Sequence, residues 1–319
     1  MAIHHHDFVR HFSKLGKGDV AIAGGKGASL GEMFTHGIAV PPGFTVITPA
    51  FDSFIQFNNL EEKIKSALFE VDAKDPASVD KASETIRKLI EDGDMPPEVE
   101  QAIVHEFGQM ATQFVAVRSS ATAEDGSTAS WAGELESYTN VTEEDLLEKV
   151  QKCWSSLFTP RAIFYRFEKN LQHQRVSVAV VVQKMVDSEV SGVAFSVNPV
   201  TKNYDQTIIE GGWGLGESVV AGIITPDSYL VNKKEEFIED ITVNSQETMI
   251  TKVDGVSTTI DVPLEMREAQ KLKGQQIIEL AKMVSHIEKH YGFPVDIEWA
   301  YDKNDKKLYI VQSRPITTL

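Results

Sequence analysis

The C-terminal stretch PVDIEWAYDKNDKKLYIVQSRPITTL concentrates residue types that bind metal ions and phosphate groups. Because side chains alternate between the two faces of a β-strand, Asp296 and Glu298 share one face. Gln312 and Arg314 share a face of the return strand for the same reason. In a hairpin folded about Asp305, Glu298 lies across from Gln312. The same hairpin places Asp296 across from Arg314.

These four side chains have the chemistry of a site for Mg²⁺ and a polyphosphate. Carboxylate and amide oxygens are the hard ligands that suit Mg²⁺. A guanidinium is planar and permanently charged, so it matches the oxygens of a phosphate. The alternative is a solvated sheet face with an ordinary cross-strand ion pair.

The opposite face of the predicted hairpin is apolar. Ile297, Trp299 and Tyr301 of the first strand are expected to join the core. Tyr309 and Val311 of the return strand are expected to join it on the same face.

A second candidate anion site is the sequence GGKG at residues 24–27. Its backbone N–H groups and the ammonium of Lys26 would meet at the start of a helix, where unpaired donors and the helix dipole attract anions. The spacing is not that of a Walker A loop, and Gly25, Gly27 and Gly31 are wrongly spaced for a dinucleotide fingerprint. A tight turn with a helix cap is the alternative.

The sequence VRSSA places Arg118 at the predicted end of a strand, where a guanidinium can hold a phosphate through two N–H groups. Surface pairing with an acidic residue of the following TAED is the alternative. The small-residue loop at 122–138 contains Gly133 and Ser137 and could cover a polyphosphate with backbone donors.

Two further motifs carry weaker signals. The loop GGWGLGE at residues 211–217 exposes backbone groups, and the alternative is a turn held by the packing of Trp213. Arg161 and Arg166 in TPRAIFYR are expected to brace a helix, and no chemistry is assigned to them.

A mixture of helices and strands must position these residues. Apolar stripes at helical spacing predict helices within 50–110, 142–172 and 263–290. The segments QFVAVRSSA, SVAVVVQKMV, SGVAFSVNP and QTIIEGGW are typical of strands. Because these elements lack a regular βαβ alternation, the sequence predicts an α+β fold.

Composition limits the class of protein. The chain has 319 residues and a net charge of −16, which argues against nucleic acid and anionic membranes as partners. Its single cysteine, Cys153, excludes an internal disulfide and a cysteine-built metal site, and a buried inert thiol is expected. Without an apolar run of membrane-spanning length or a signal peptide, the cytoplasm is the expected location. The triplet His4–His6 is expected to be a floppy terminus, not a metal site.

Together, GGKGASLGEM, VPPGFTV, VRSSATAED, WAGELES, SGVAFSVNPVT, GGWGLGESVV, DIEWA and YIVQSRPIT resemble one known module. It is the N-terminal ATP-binding domain shared by phosphoenolpyruvate synthase, pyruvate phosphate dikinase and rifampin phosphotransferase. The resemblance covers residues 13–319 and is nearest in wording to phosphoenolpyruvate synthase.

The resemblance implies an ATP-grasp fold in which the nucleotide is bound between two lobes. Residues 1–182 would form the N-terminal lobe, with the Lys26 loop, the Arg118 strand and the covering loop. Residues 183–319 would form the C-terminal lobe, with the glycine loop 211–217 and the hairpin 294–315.

The resemblance also implies roles for individual residues, with ATP and Mg²⁺ as cofactors. Lys26, Arg118 and Arg314 would contact phosphates and contribute to catalysis. Glu298 and Gln312 would be the Mg²⁺ ligands. The remaining contacts would come from the covering loop and from the segment beside adenine: Gly133, Ser137, Gln183 and Met185.

The implied reaction is a phosphotransfer with paired acceptors, of the pyruvate, water dikinase type. ATP gives a phosphoryl or pyrophosphoryl group to a carrier histidine, leaving AMP, and the carrier passes it to pyruvate or to a drug. None of the nine histidines has the context of that carrier, and the chain stops after QSRPITTL. Phosphohistidine and pyruvate-binding domains or subunits are therefore the expected partners. The ATP-binding part of pyruvate phosphate dikinase or rifampin phosphotransferase, and a non-catalytic nucleotide-binding regulatory subunit, remain alternatives.

Overall fold

The computed structural model describes residues 8–122, 135–169, 177–317 and 319. The chain divides into a first unit, Met1–Thr35 with Pro42–Met185, and a second unit, His36–Pro41 with Val186–Leu319. Both units combine helices with strands, which confirms the predicted α+β class. The assignment of 1–182 and 183–319 as nucleotide-binding lobes stays a prediction. His4–His6 lie outside the described residues.

The described part of the first unit contains an antiparallel sheet with helices packed against it. Its strands follow the spatial order β1-β2-β5-β3-β4. The strands are β1 (Val9–His11), β2 (Gly43–Val46), β3 (Val115–Ala121), β4 (Ser137–Val141) and β5 (Val178–Lys184). The helices are α1 (Val20–Thr35), α2 (Thr48–Phe57), α3 (Glu61–Phe69), α4 (Pro76–Glu91), α5 (Pro97–Gln109), α6 (Glu143–Ser155) and α7 (Pro160–Glu168).

Local sequence explains several of these boundaries. Helix α4 begins at Pro76, and Asp75 caps it by accepting a hydrogen bond from the N–H of Ala77. Strand β5 lies at the centre of the sheet, and its continuous apolar run from Val178 to Val182, with Gln183, is buried throughout. Cys153 is buried, as predicted, in the hydrophobic core that also contains valines of β5.

The described part of the second unit is built on a six-stranded antiparallel sheet of order β13-β12-β6-β7-β8-β9. A separate hairpin pairs β10 with β11. The strands are β6 (Ser188–Phe195), β7 (Gln206–Trp213), β8 (Asp227–Asn232), β9 (Phe237–Thr242), β10 (Thr248–Val253), β11 (Val256–Asp261), β12 (Val295–Asp302) and β13 (Leu308–Pro315). The helices are α8 (Glu217–Val220) and α9 (Gly274–Tyr291).

The long helix predicted over 263–290 is wrong at its N-terminal end. Helix α9 begins at Gly274, and only a single 3₁₀ turn, Leu264–Met266, lies before it. The backbone between that turn and α9 makes a tertiary hydrogen bond instead of a helical one, because the N–H of Lys271 donates to the Asp227 carboxylate at 3.0 Å. Tertiary hydrogen bonding therefore replaces helix in a segment whose apolar spacing suggested one.

That contact belongs to a buried polar network at the start of β8. The side chains of Lys271 and Asp227 are both fully buried, and Lys271 Nζ lies 2.8 Å from Asp227 Oδ1. Asp227 also accepts hydrogen bonds from the Tyr229 hydroxyl at 2.8 Å and from the Asn244 N–H at 3.0 Å. The network ties β8 to the two segments that precede β10 and α9.

The final hairpin forms as predicted, but its register changes part-way. A β-bulge between Glu298 and Trp299 makes Trp299 pair with Ile310. Leu308 and Ile310 are consequently the buried apolar residues of β13, while Tyr309 and Val311 are only partly buried. The prediction that Tyr309 and Val311 join the core is wrong, because one extra residue at the bulge exchanges the faces.

No helix in the described parts of the chain is both long enough and apolar enough to cross a membrane.

Candidate functional site

Strands β12 and β13 bring the four polar side chains of the hairpin together. Asp296 pairs with Arg314 and Glu298 pairs with Gln312, so this part of the predicted register is confirmed. Arg314 Nε donates to Asp296 Oδ2 at 2.7 Å, and Arg314 Nη2 lies 2.7 Å from the same oxygen. The Arg314 side chain is 46% exposed and the Asp296 side chain only 12%, so the guanidinium is accessible while its carboxylate partner is held in place.

Negative charge is concentrated on this face of the sheet. Burial raises the pKa of Asp296, the nearby Glu298 carboxylate raises it further, and Arg314 opposes both. A carboxyl group with a raised pKa is one whose ionised form lacks full compensation. A bound cation would supply that compensation.

Sequence reasoning missed a third carboxylate on the same face. Val193 of β6 pairs with Glu298 on one side and with Glu210 of β7 on the other. Directly paired residues share a face, so Glu210 and Glu298 lie in one row, two strand spacings or about 10 Å apart. Burial raises the pKa of Glu210. The available signal was an acidic residue directly after two isoleucines in the predicted strand QTIIEGG.

The GGKG loop of the first unit packs against strand β3. Gly24 has φ +66°, and a Cβ there would lie 2.2 Å from the carbonyl oxygen of Ser120, so only glycine fits. The Ser120 hydroxyl donates to the Ala23 carbonyl at 2.8 Å, and the N–H of Gly27 donates to that hydroxyl at 3.2 Å. These bonds fix the loop and the helical turn that follows the kink at Gly24.

The loop places the Lys26 ammonium beside β3, where it donates to the carbonyl of Ser119 at 3.0 Å. Arg118 is the neighbouring residue on that strand. The prediction that Arg118 stands at a strand end is wrong, because β3 continues through Ala121 by pairing with β5. Lys26 and Arg118 nevertheless bring two cationic side chains to one strand.

Residues from three strands share the face of Arg118. Arg118 pairs with Ser137 of β4, and Ala116, two residues earlier on β3, pairs with Gln183 of β5. Ser137 is exposed, whereas Gln183 is 2% exposed. Within the described residues, the buried amide nitrogen Nε2 of Gln183 has no hydrogen-bond acceptor. Such a donor costs about 1–3 kcal/mol unless a ligand supplies an acceptor.

The other predicted site residues are less informative. Met185 is half-buried, and its N–H donates to the Phe114 carbonyl at 3.1 Å, so that N–H is already used within the first unit. Gly133 lies outside the described residues.

The loop at residues 211–217 is tightly held within the second unit. The N–H of Gly214 donates to the Glu189 carbonyl at 3.0 Å, and the N–H of Leu215 donates to the Ile250 carbonyl at 2.7 Å. The buried side chain of Gln246 accepts from the N–H of Trp213 at 2.8 Å and donates to its carbonyl at 3.1 Å. The loop is therefore a fixed turn supported by neighbouring strands.

Comparison with known proteins shows which family has this arrangement of motifs. The family profile described as pyruvate phosphate dikinase, AMP/ATP-binding domain, matches residues 20–319. The chain belongs to this family. The predicted family resemblance is thereby confirmed.

Three curated relatives of this AMP/ATP-binding domain differ in their names. A probable phosphoenolpyruvate synthase of Methanocaldococcus jannaschii is 48% identical over 98% of this chain and 27% of its own length. The phosphoenolpyruvate synthase of Pyrococcus furiosus is 42% identical over 98% of this chain and 44% of its own. The rifampicin phosphotransferase of Bacillus cereus is 37% identical over 98% of this chain and 36% of its own. The chain therefore spans less than half the length of each.

Proposed function

We propose that this chain binds ATP with Mg²⁺ and activates it for transfer of a phosphoryl or pyrophosphoryl group. The observation that carries the proposal is the register of β12 and β13, which sets Glu298 opposite Gln312 and Asp296 opposite Arg314. The match to an AMP/ATP-binding domain family supports nucleotide as the ligand. The group would pass to a histidine on another domain or subunit, with AMP as the product.

The donor chemistry of the hairpin fits Mg²⁺. Glu298 offers a carboxylate, Gln312 offers an amide oxygen on the adjacent strand, and the raised pKa of Asp296 marks a place where added positive charge is favourable. Glu298 and Gln312 would hold the ion. When bound, Mg²⁺ would neutralise charge on the phosphate oxygens.

The protein's own cations would position the polyphosphate. The exposed guanidinium of Arg314 presents N–H groups that suit a phosphate, and its bond to Asp296 fixes its orientation. Lys26 and Arg118 would contact further phosphate oxygens, and Ser137, opposite Arg118, would contribute its hydroxyl. This chemistry rests on positioning and charge compensation, which dominate phosphoryl transfer.

Adenine would lie beside the segment that contains Gln183 and Met185. The Nε2 of Gln183, which has no acceptor among the described residues, supports this placement, because a heterocyclic nitrogen or a ribose oxygen could accept its N–H. The two-lobed ATP-grasp arrangement that the family resemblance implies is part of the proposal. Gly133 keeps its proposed place in the covering loop.

The final acceptor would be pyruvate if this chain follows the relatives named phosphoenolpyruvate synthase. The relative named rifampicin phosphotransferase supports an antibiotic as a second candidate. Carrier and acceptor domains would decide between them, so they are the proposed partners of this chain.

The test is reconstitution with a separately produced phosphohistidine domain. The chain, ATP and Mg²⁺ are mixed with that domain, and nucleotides are separated by chromatography. AMP should form only in the complete mixture. ADP instead of AMP would indicate a different ATP-dependent reaction, and no AMP with a carrier known to be competent would contradict the proposal. Glu298→Gln should abolish the product, and Glu235→Gln, in an exposed turn, should not.

A further inference from the structure

The first unit buries a positive charge at Arg166, in the last turn of α7. Arg166 is 5% exposed and shares the inward face of the helix with Ala162 and Ile163, which are fully buried. No hydrogen bond or ion pair joins its guanidinium to any residue that the structure describes. The guanidinium makes a cation–π contact with the ring of Phe158, whose centroid lies 5.0 Å from the guanidinium carbon.

These surroundings compensate only part of the charge. Removing a guanidinium from water costs more than one aromatic ring returns through a cation–π contact. The carbonyl end of α7 adds a further, smaller attraction. Burial lowers the pKa of Arg166 to about 10, so the side chain is still protonated at neutral pH. A buried cation of this kind is stable when an anion accompanies it.

The acidic residue nearest along the helix does not provide that anion. Glu168 is exposed and lines an outer groove together with Arg161 and Phe164. Residues two positions apart on a helix point in different directions. The inward and outward faces of α7 are therefore chemically separate.

The guanidinium atoms that lack partners among the described residues indicate which ligand shape they could bind. They are Nε and Nη2, which lie on one edge of the guanidinium and direct parallel N–H groups. That edge matches two oxygens of a single oxyanion. The little accessible surface at Arg166 favours a small ion over a nucleotide as the ligand.

We propose that Arg166 is the centre of a binding site for a small oxyanion of the phosphate or sulfate type, held by Nε–H and Nη2–H. The site serves to compensate the buried guanidinium, and it is independent of the proposed nucleotide site. A bound oxyanion stabilises the packing of α7 against the rest of the first unit.

The direct test is an NMR titration of the arginine Nε–H signals of the full chain with inorganic phosphate, and with chloride at matched ionic strength. The Arg166 signal is identified by its absence from the spectrum of Arg166→Met, or of Arg166→Lys if the methionine variant does not fold. It should move and saturate with phosphate and remain in place with chloride. The signal of Arg87, which is already paired with Glu136 at 2.9 Å, is the control and should not respond.

Thermal unfolding gives a second readout. Phosphate should raise the Tm of the wild-type chain above its value in chloride by about 2–4 °C more than it does for Arg166→Lys, which keeps the charge but lacks the paired N–H edge. Arg87→Lys should behave like the wild type. An Arg166 signal that ignores phosphate, or an equal Tm response in wild type and Arg166→Lys, would overturn the proposal.

Discussion

Breaking the buried ion pair of the second unit should destabilise that unit far more than breaking an exposed pair of similar geometry. The perturbation is Lys271→Met, which keeps the length of the side chain and removes its charge. It leaves the Asp227 carboxylate fully buried without its counter-ion. The matched control is Lys282→Met, because Lys282 lies 2.7 Å from Glu236 and both side chains are 55% exposed.

The magnitude follows from what remains around each charge. Removing one partner of a buried pair costs about 3–5 kcal/mol, whereas an exposed pair contributes about 0–1 kcal/mol. After Lys271→Met, three donors to Asp227 remain. They are the Tyr229 hydroxyl, the backbone N–H of Asn244 and the backbone N–H of residue 271. The loss should therefore fall near the lower limit, at about 3 kcal/mol. Asp227→Ala should cost more, because the remaining ammonium keeps only the Asn244 carbonyl as an acceptor.

Hydrogen exchange measured by mass spectrometry reports the loss locally. A destabilisation of about 3 kcal/mol corresponds to roughly 100-fold faster exchange in peptides that cover β8 and α9. Peptides from the first unit provide an internal control and should be unchanged. Equal acceleration of exchange by Lys271→Met and Lys282→Met, or no effect of Lys271→Met, would refute a stabilising role for the buried pair. The double variant Lys271→Met/Asp227→Leu should cost less than the sum of the two single changes.

Three further predictions concern the sheet face of the hairpin. Glu298→Gln should weaken Mg²⁺–ATP binding at least about 10-fold by calorimetry, because a neutral amide is a poorer ligand, and unchanged affinity would contradict a ligand role. Arg314→Lys should weaken it about 10-fold, because an ammonium lacks the planar fork; equal affinities would count against phosphate contact. The pKa of Glu210 is raised in the native state, so the folded chain holds this proton more tightly than the unfolded chain does. As the pH rises past 4.5, the ordinary pKa of the carboxyl group, the unfolded state loses the proton first. The metal-free fold is destabilised as a result. Glu210→Gln should therefore raise the Tm at pH 7 in the absence of metal and lose that advantage below about pH 4.5, and a Tm difference independent of pH would exclude this cause.

The sequence predicted the hairpin well near its open end and poorly near its turn. Period-2 alternation is sufficient to pair Asp296 with Arg314 and Glu298 with Gln312. It cannot anticipate a bulge, since the extra residue is set by packing against the neighbouring strand. Tyr309 was consequently placed on the wrong face.

Long-range pairing explains the other differences. Glu210 joins the candidate site only because β6 lies between β7 and β12. The spacing of residues within a segment does not predict this order of strands. Strand β9 and the β10–β11 hairpin are largely exposed or half-buried, so they lack the apolar alternation by which strands are identified from sequence. The lack of an acceptor for Gln183 Nε2 within the described parts of the chain could be found only from coordinates, because a glutamine in an apolar run gives no indication of its hydrogen bonds.

The most direct test of the proposed nucleotide site is a crystal structure of this chain with Mg²⁺ and a non-hydrolysable ATP analogue. We expect the metal on the oxygens of Glu298 and Gln312, with a phosphate contacting Arg314. Metal and phosphates bound elsewhere, with this face of β12 and β13 in contact with solvent alone, would contradict it.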